Sequence, residues 1–381
     1  MLKVHYNLVS PLMVSAGGGT SNSGGGQPPT LDKIFAVGIN DEDGKVIELF
    51  GSSTIYGDTC TNSTAAGSVY FASSTRIRNG DLYIGPGGDG EEVAISRNWR
   101  GVSRNIPDGE IKNLVSIQTF SLPIYPSFPD LPYRGTLDAG WYPIPEGGHR
   151  ISEDGSYSNI NVSKQLTIDI GDDDRVICAD SLNVTGHALI VLNRSGSGKL
   201  LLYVADTFNL TGDSSLNDSG DCNALIMFYS GDESFNLLGD TDFNGSVFVQ
   251  NADVQIGGSS GFTGNLVSGG NAINISGNVK VNINGNGSGN GYCNGNGNSN
   301  SNGNGNNNGT CSSNIGSIYA PNASLLLSGS SEIYGSVIVH DMELIGNAGI
   351  HHLDSIDMSF FNLLGWNTSS VSGSQGTWVR L

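Results

Sequence analysis

Residues 240–245, Asp-Thr-Asp-Phe-Asn-Gly, carry the most specific chemical spacing in the chain. Oxygens at the first, third and fifth positions of such a run converge on a hard cation, and the glycine permits the sharp turn. A calcium loop of this type closes with a bidentate Glu at its twelfth position, which here is Asn251. Calcium at Asp240, Asp242 and Asn244 and an ordinary polar corner therefore both fit, and no other cofactor is suggested. Asp172, Asp173 and Asp174 read as a solvated turn. Gly196-Ser-Gly-Lys199 lacks the earlier glycine of a phosphate loop and precedes a strand instead of a helix. His340, His351 and His352 form no evident metal set with carboxylates, Asp354 being the companion considered, and read as surface histidines. Cleavage of a polysaccharide would need carboxylates converging on one face. Asp169, Asp253 and Glu343 fall on strands of different sheets, so no catalytic residue is assigned and an enzyme is not expected.

A second kind of chemistry is offered by Tyr125, Phe128, Trp141 and Tyr142, set among the prolines of residues 123–145. So much proline excludes a central strand. The rings either pack a connector across the fold or form an exposed groove for carbohydrate. Five cysteines show no CxxC spacing and no zinc-ligand cluster. Cys293 and Cys311 bracket a run of Asn, Gly, Ser and Thr, as a disulfide would staple an insertion, and Cys178 with Cys222 is a second candidate pair. The alternative is that the cysteines serve as small buried hydrophobes.

The elements that position these residues are announced by repetition. Residues 316–349 hold one pattern written twice, nineteen positions apart, which places Ile318 on Val337, Ala320 on Val339 and Leu325 on Leu344. Residues 243–277 do the same, with Gly245 on Gly264, Val247 on Leu266, Val254 on Ile273 and Ile256 on Ile275. Apolar alternation of period two between Gly, Asn and Ser corners, repeated near every twenty residues, is the pattern of a solenoid of strands. A helical reading fails because so many glycines are tolerated poorly in helices. The expected fold is all-β, a parallel β-helix.

The expected organisation has an extended strand at residues 1–16, a Gly/Ser/Pro linker at 17–32 and a first β-helical block at 33–115. A Pro/aromatic connector follows at 116–150, then the main β-helix at 151–357 with a low-complexity insertion at 284–314, and a C-terminal cap at 358–381. The shift from Gly264 to Gly316 leaves about 33 residues beyond one period, placed at a single corner where solenoids tolerate insertions. A lone strand on a tether cannot bury itself locally and must add to a sheet edge, with Val4, Tyr6, Leu8 and Leu12 as anchors. The edge belongs to its own chain or to a neighbour, and in the second case the product is a homo-oligomer or filament.

A net charge of -19 with 17 Lys and Arg opposes nucleic acid as a partner. No apolar run approaches the length of a membrane span. Asn-x-Ser/Thr sequons at Asn161, Asn183, Asn209, Asn244, Asn274, Asn322 and Asn367 permit glycosylation.

Several segments together resemble a known family. They are Gly80-Asp-Leu-Tyr-Ile-Gly-Pro-Gly-Gly88, the Pro-rich residues 122–132, Ser181-Leu-Asn-Val-Thr-Gly186, and Ile318-Tyr-Ala-Pro-Asn-Ala-Ser-Leu-Leu-Leu-Ser-Gly329. Residues 333–339 and 344–351 continue the match. The chain resembles the secreted β-helical domain of PilX-type, type IV pilus-associated proteins. It departs from them in its short strand and Gly linker, where that family usually has a pilin-like hydrophobic helix, and in the Asn-Gly insertion. The resemblance implies an extracellular or cell-surface role without established catalysis, as a filament subunit or as an adhesin binding surface carbohydrate. It supplies no catalytic residues, and a polysaccharide-degrading β-helix enzyme is the remaining alternative.

Overall fold

The computed structural model describes residues 33–38, 44–72, 74–97, 107–140, 145–218, 220–282, 316–353 and 359–365. Within them the chain is a parallel β-solenoid of about eleven turns. The strands form a 19-stranded and an 11-stranded sheet. Long strands such as Leu200–Gly212 pair with two shorter ones in succession, Leu225–Tyr229 and Phe235–Gly239, and so run through two of the three faces. The first face carries Leu200–Val204 and its equivalents, the second carries Thr207–Gly212 and its equivalents, and the 11-stranded sheet is the third. Alternate side chains point inward, as in Gln165–Ile170, where Leu166, Ile168 and Ile170 are buried. These inward rows form one continuous aliphatic and aromatic core along the axis.

The expected register holds at Val247 on Leu266, Val254 on Ile273 and Ile256 on Ile275. Ile318 on Val337 and Ala320 on Val339 also pair as expected. Leu325 does not lie on Leu344. It pairs with Met342, and Leu327 takes Leu344, because the ladder slips between Ala320 and Ser324, where this turn has two more residues than its neighbour. A slip of two preserves the face, so Leu325 stays in the core. The insertion sits where the spacing put it: Leu266 pairs with Ile318, Ile273 with Leu325 and Lys280 with Glu332, all 52 positions apart.

The order of turns along the axis differs from their order in sequence. Residues 33–113 are turns of the same solenoid, but they stack beyond the last turn of the main block. Phe35 pairs with Ile338, Ile47 with Met342 and Ile55 with Ile350. The axis therefore begins at Tyr133–Ala139, climbs to Gly349–His351, continues through Ile34–Tyr56 and ends at Ile111–Asn113. The corner glycines carry the continuity across this junction. Gly51 has φ +75, and a Cβ there would stand 2.7 Å from the Gly346 carbonyl oxygen of the adjoining turn. On the third face the Tyr334, His351 and Tyr56 rings stack at 4.4 and 4.5 Å, with Tyr334 and His351 from the main block and Tyr56 from the other.

The connector ends earlier than expected. Tyr133–Ala139 and His149–Ile151 already form the first turn, so only residues 114–132 lie outside the strands between the two blocks. They run as a strap back along the first face. Phe120 packs on Phe35 and Tyr319, Tyr125 on Phe248 and Phe228, and Phe128 on Tyr203, while the Pro129 carbonyl accepts from the Cys178 thiol. Beneath the strap the outward residues of successive turns are Cys178, Tyr203, Phe228, Phe248, Val267, Tyr319, Ile338, Phe35 and Cys60, a buried row that the solenoid core does not contain. Strand segments read as LLLYV, LIMFY and, at residues 247–249, VFV are apolar at every position because both their faces are covered. The expected C-terminal cap also lies here. Its described part, Ser359–Leu363, sets Phe361 against Tyr319 on the side of the solenoid, not over an open end.

Candidate functional site

The run Asp240–Gly245 forms a corner and a strand in place of the curled loop its spacing suggests. Asp240 sits at a corner, where its backbone N–H donates to the Gly212 carbonyl, and Asp242–Asn244 is a strand of the third face paired with Gly261–Thr263. A strand sends Asp242 and Asn244 out side by side along an extended backbone, whereas a cation loop must curl them inward. Asn244 is buried and donates through Nδ2 to the Gly220 carbonyl. No three acidic, His or Cys side chains group to hold a metal among the described residues.

The same strand holds the clearest electrostatic anomaly. Burial, together with Asp218, Asp240 and Asp213, pushes the Asp242 carboxyl up to about 6. A carboxyl whose folded pKa lies above its unfolded value penalises the fold above pH 6, and the penalty is relieved as pH falls toward the unfolded value of 3.8. Asp242→Asn is therefore expected to stabilise the protein at pH 7.5 by about 1–2 kcal/mol after solvent screening, and to change nothing below pH 4. Paired thermal melts at the two pH values check this.

Other carboxylates have structural partners. Asp169 accepts from Arg150 and, at 2.6 Å, from Asn193, and these hydrogen bonds hold it below the usual carboxylate range. Asp253 accepts from the Asn271 and Ala272 amides of the next turn. Glu343 lies on the second face between Leu326 and Glu48. The three expected candidates for polysaccharide chemistry thus stand apart, on the third face, at a corner and on the second face. Asp58, Asp81, Asp154 and Asp174 repeat the corner role, each accepting from the backbone N–H of a neighbouring turn. Asp81 is held low first by the Glu110 amide and then by Lys112. Among the histidines, His340 meets Asp341 at 2.9 Å and His351 belongs to the junction stack. Burial lowers the His351 pKa.

Sequence inspection missed a row of amides on the second face. Asn236, Asn209, Asn183 and Asn161 each donate through Nδ2 to the residue one turn earlier on the axis, over 3.5, 3.1, 3.3 and 2.8 Å. The row ends on the carboxylate of Asp138 in the terminal strand. Its signal was the recurrence of Asn three residues before a corner glycine at Asn183, Asn209 and Asn236, a pattern that Asn161 does not share. Three of its members, Asn161, Asn183 and Asn209, are sequons, and a glycan on any of them would cost the row a donor.

Of the four aromatic residues expected to contact carbohydrate, Tyr125 and Phe128 face the solenoid with edge-on rings 5.1 Å from Phe248 and Tyr203, and do not form a coplanar exposed pair. Trp141 and Tyr142 lie outside the described residues, as do Val4, Tyr6, Leu8, Leu12, Cys293, Cys311 and the insertion. Cys178 is not bridged to Cys222. It carries a free thiol beneath the strap, pushed up to about 11 by burial. Cys178 points outward from the first face, whereas Cys222 lies in a short turn, Cys222–Ala224, two turns further along.

Fold and surface together define a parallel β-helix whose outward polar groups largely bind its own turns. Within that class the chain belongs to the family described as "Domain of unknown function (DUF7305)", whose model matches residues 143–282 and 266–358, together more than half of the sequence. No curated protein and no solved structure matches it.

Proposed function

We propose that this chain is a non-catalytic structural subunit of an extracellular or cell-surface filament, a pilus-like appendage. In this reading it self-assembles through residues 1–16 with Val4, Tyr6, Leu8 and Leu12 as anchors, and nucleic acid is not a partner. The observation that supports it best is the use to which chemistry-bearing side chains are put. Carboxylates cap amides of adjoining turns, amides form a row along the axis, and Tyr125 and Phe128 hold a strap. Such a body resembles a rod braced lengthwise more than a cleft. The resemblance to PilX-type proteins points the same way, and among the described residues no helix is long and apolar enough to cross a membrane.

The test is sedimentation velocity of the full chain and of a chain lacking residues 2–16, each over a hundredfold range of concentration. The full chain should grow into large species while the shortened chain stays a folded monomer with an unchanged melting temperature. Growth of the shortened chain to the same extent would refute assembly through this segment.

A further inference from the structure

We infer that the edge strand Tyr133–Ala139 is the acceptor for residues 4–8 of a second copy of this chain. The inference rests on the assembly reading above and specifies its surface. Tyr133–Ala139 pairs only with Gly155–Val162 among the described residues, so one side of its backbone is a row of unused donors and acceptors. Tyr133 is 71% exposed, and Leu137 is only partly covered where the core ends. The opposite end of the solenoid is crossed by its own chain. Ile111–Asn113 pairs over Leu82–Ile84 on the first face, and the Asp108 amide donates to the Ile77 carbonyl on the third.

Position decides which copy supplies the strand. The first described residue, Lys33, lies beside the junction. From Ile34–Ala36 to Tyr133–Ala139 there are nine strand-to-strand steps within one molecule. At ~4.8 Å per step that is roughly 43 Å. To the opposite end there are three steps, roughly 14 Å. The tether between Leu8 and Lys33, residues 9–32, has a coil reach of about 27 Å. A neighbour whose Tyr133 end follows head to tail lies within that reach, whereas the chain's own Tyr133 end, roughly 43 Å away, lies well beyond it. Donor and acceptor then lie toward opposite ends of each subunit, so the contact propagates without closing.

Register follows from the core and from the amide row. The inward positions of the edge strand are Gly135, Leu137 and Ala139, which pair with Tyr157, Ile160 and Val162. Val4, Tyr6 and Leu8 alternate with the same period, which sets Tyr6 beside the partly covered Leu137, Leu8 beside the buried Ala139, and Val4 at Gly135, where a Cβ would meet nothing. In that register Asn7 falls beside Asp138. All four amides of the row direct their Nδ2 donors toward this end, and the Asp138 carboxylate, with room for several donors, accepts from Asn161 on one side and from Asn7 on the other.

The experiment uses full-length chains carrying Asn7→Cys or Asp138→Cys, mixed under mild oxidation beside the wild type, whose native cysteines give the background. The mixture should yield a new reducible dimer, and a chain bearing both substitutions a ladder of multimers. A doubly substituted chain that cross-links only within itself, with no dimer from the mixture, would overturn the inference. As a second measurement, Leu137→Lys at this partly covered edge should weaken assembly at least tenfold while the chain stays folded with only a small loss of melting temperature. Undiminished assembly would also overturn it. Full chains that assemble through residues 2–16 yet form neither product would leave the filament reading intact and the acceptor wrong. Chains that never assemble would remove both.

Discussion

Leu325→Asp is expected to abolish folding. Leu325 is 1% exposed and lies in the inward row between Ile273 of the preceding turn and Met342 of the next. Losing its burial costs about 1.5–3 kcal/mol. A carboxylate in its place adds several kcal/mol of desolvation or forces protonation. The sum approaches the whole stability of an ordinary domain, about 5–15 kcal/mol. Leu325→Met, which conserves volume, should cost under about 1.5 kcal/mol. Chemical denaturation of both variants checks the pair. The observed slip in the ladder adds a sharper expectation. Leu325→Ala should couple energetically to Met342→Ala by more than about 0.5 kcal/mol, whereas its effect should add more simply to that of Leu344→Ala, whose partner is Leu327.

Tyr319→Ala should be nearly as damaging, through the second row and not the core. Tyr319 is fully buried under the strap, its ring 6.5 Å from Phe120 and 6.3 Å from Phe361, and its hydroxyl donates to the Ser121 carbonyl over 2.8 Å. Truncation removes the ring that both coverings share, at about 3–5 kcal/mol. Tyr319→Phe keeps the ring and loses only the hydroxyl bond, about 1 kcal/mol. Limited proteolysis should cut residues 114–131 in the alanine variant well before the rest of the solenoid opens, and should spare them in the phenylalanine variant.

The turns at 243–277 and the start of the 316–351 pair were legible because a fixed shift of nineteen places Val247 on Leu266 and Ile318 on Val337, and the reading failed at Leu325 where that shift drops by two. Elsewhere the turns are longer, with 25 positions from Cys178 to Tyr203, because extra residues collect at the corners and break the repeat. The stacking order was not legible. Alternation identifies a strand but not its neighbour, and nothing local in Ile47–Leu49 names Met342–Leu344 as its partner. The strap left a trace in the apolar outward positions Tyr203, Phe228 and Phe248, which only a second covering layer explains. The calcium spacing left a loop and a corner open because a corner aspartate followed by a strand with alternate polar residues produces the same letters as a loop. Asn244 stands on that strand, its Nδ2 donating to the Gly220 carbonyl and its Oδ1 buried without a hydrogen-bond partner among the described residues.

Negative-stain microscopy of the full chain beside the chain lacking residues 2–16 tests the central claim most directly. About twelve stacked strands at ~4.8 Å imply a rod near 55 Å long. The full chain should give filaments with an axial repeat close to that length, and the shortened chain single rods of the same dimensions. Single rods from both, or filaments from both, would contradict an assembly that depends on the N-terminal segment.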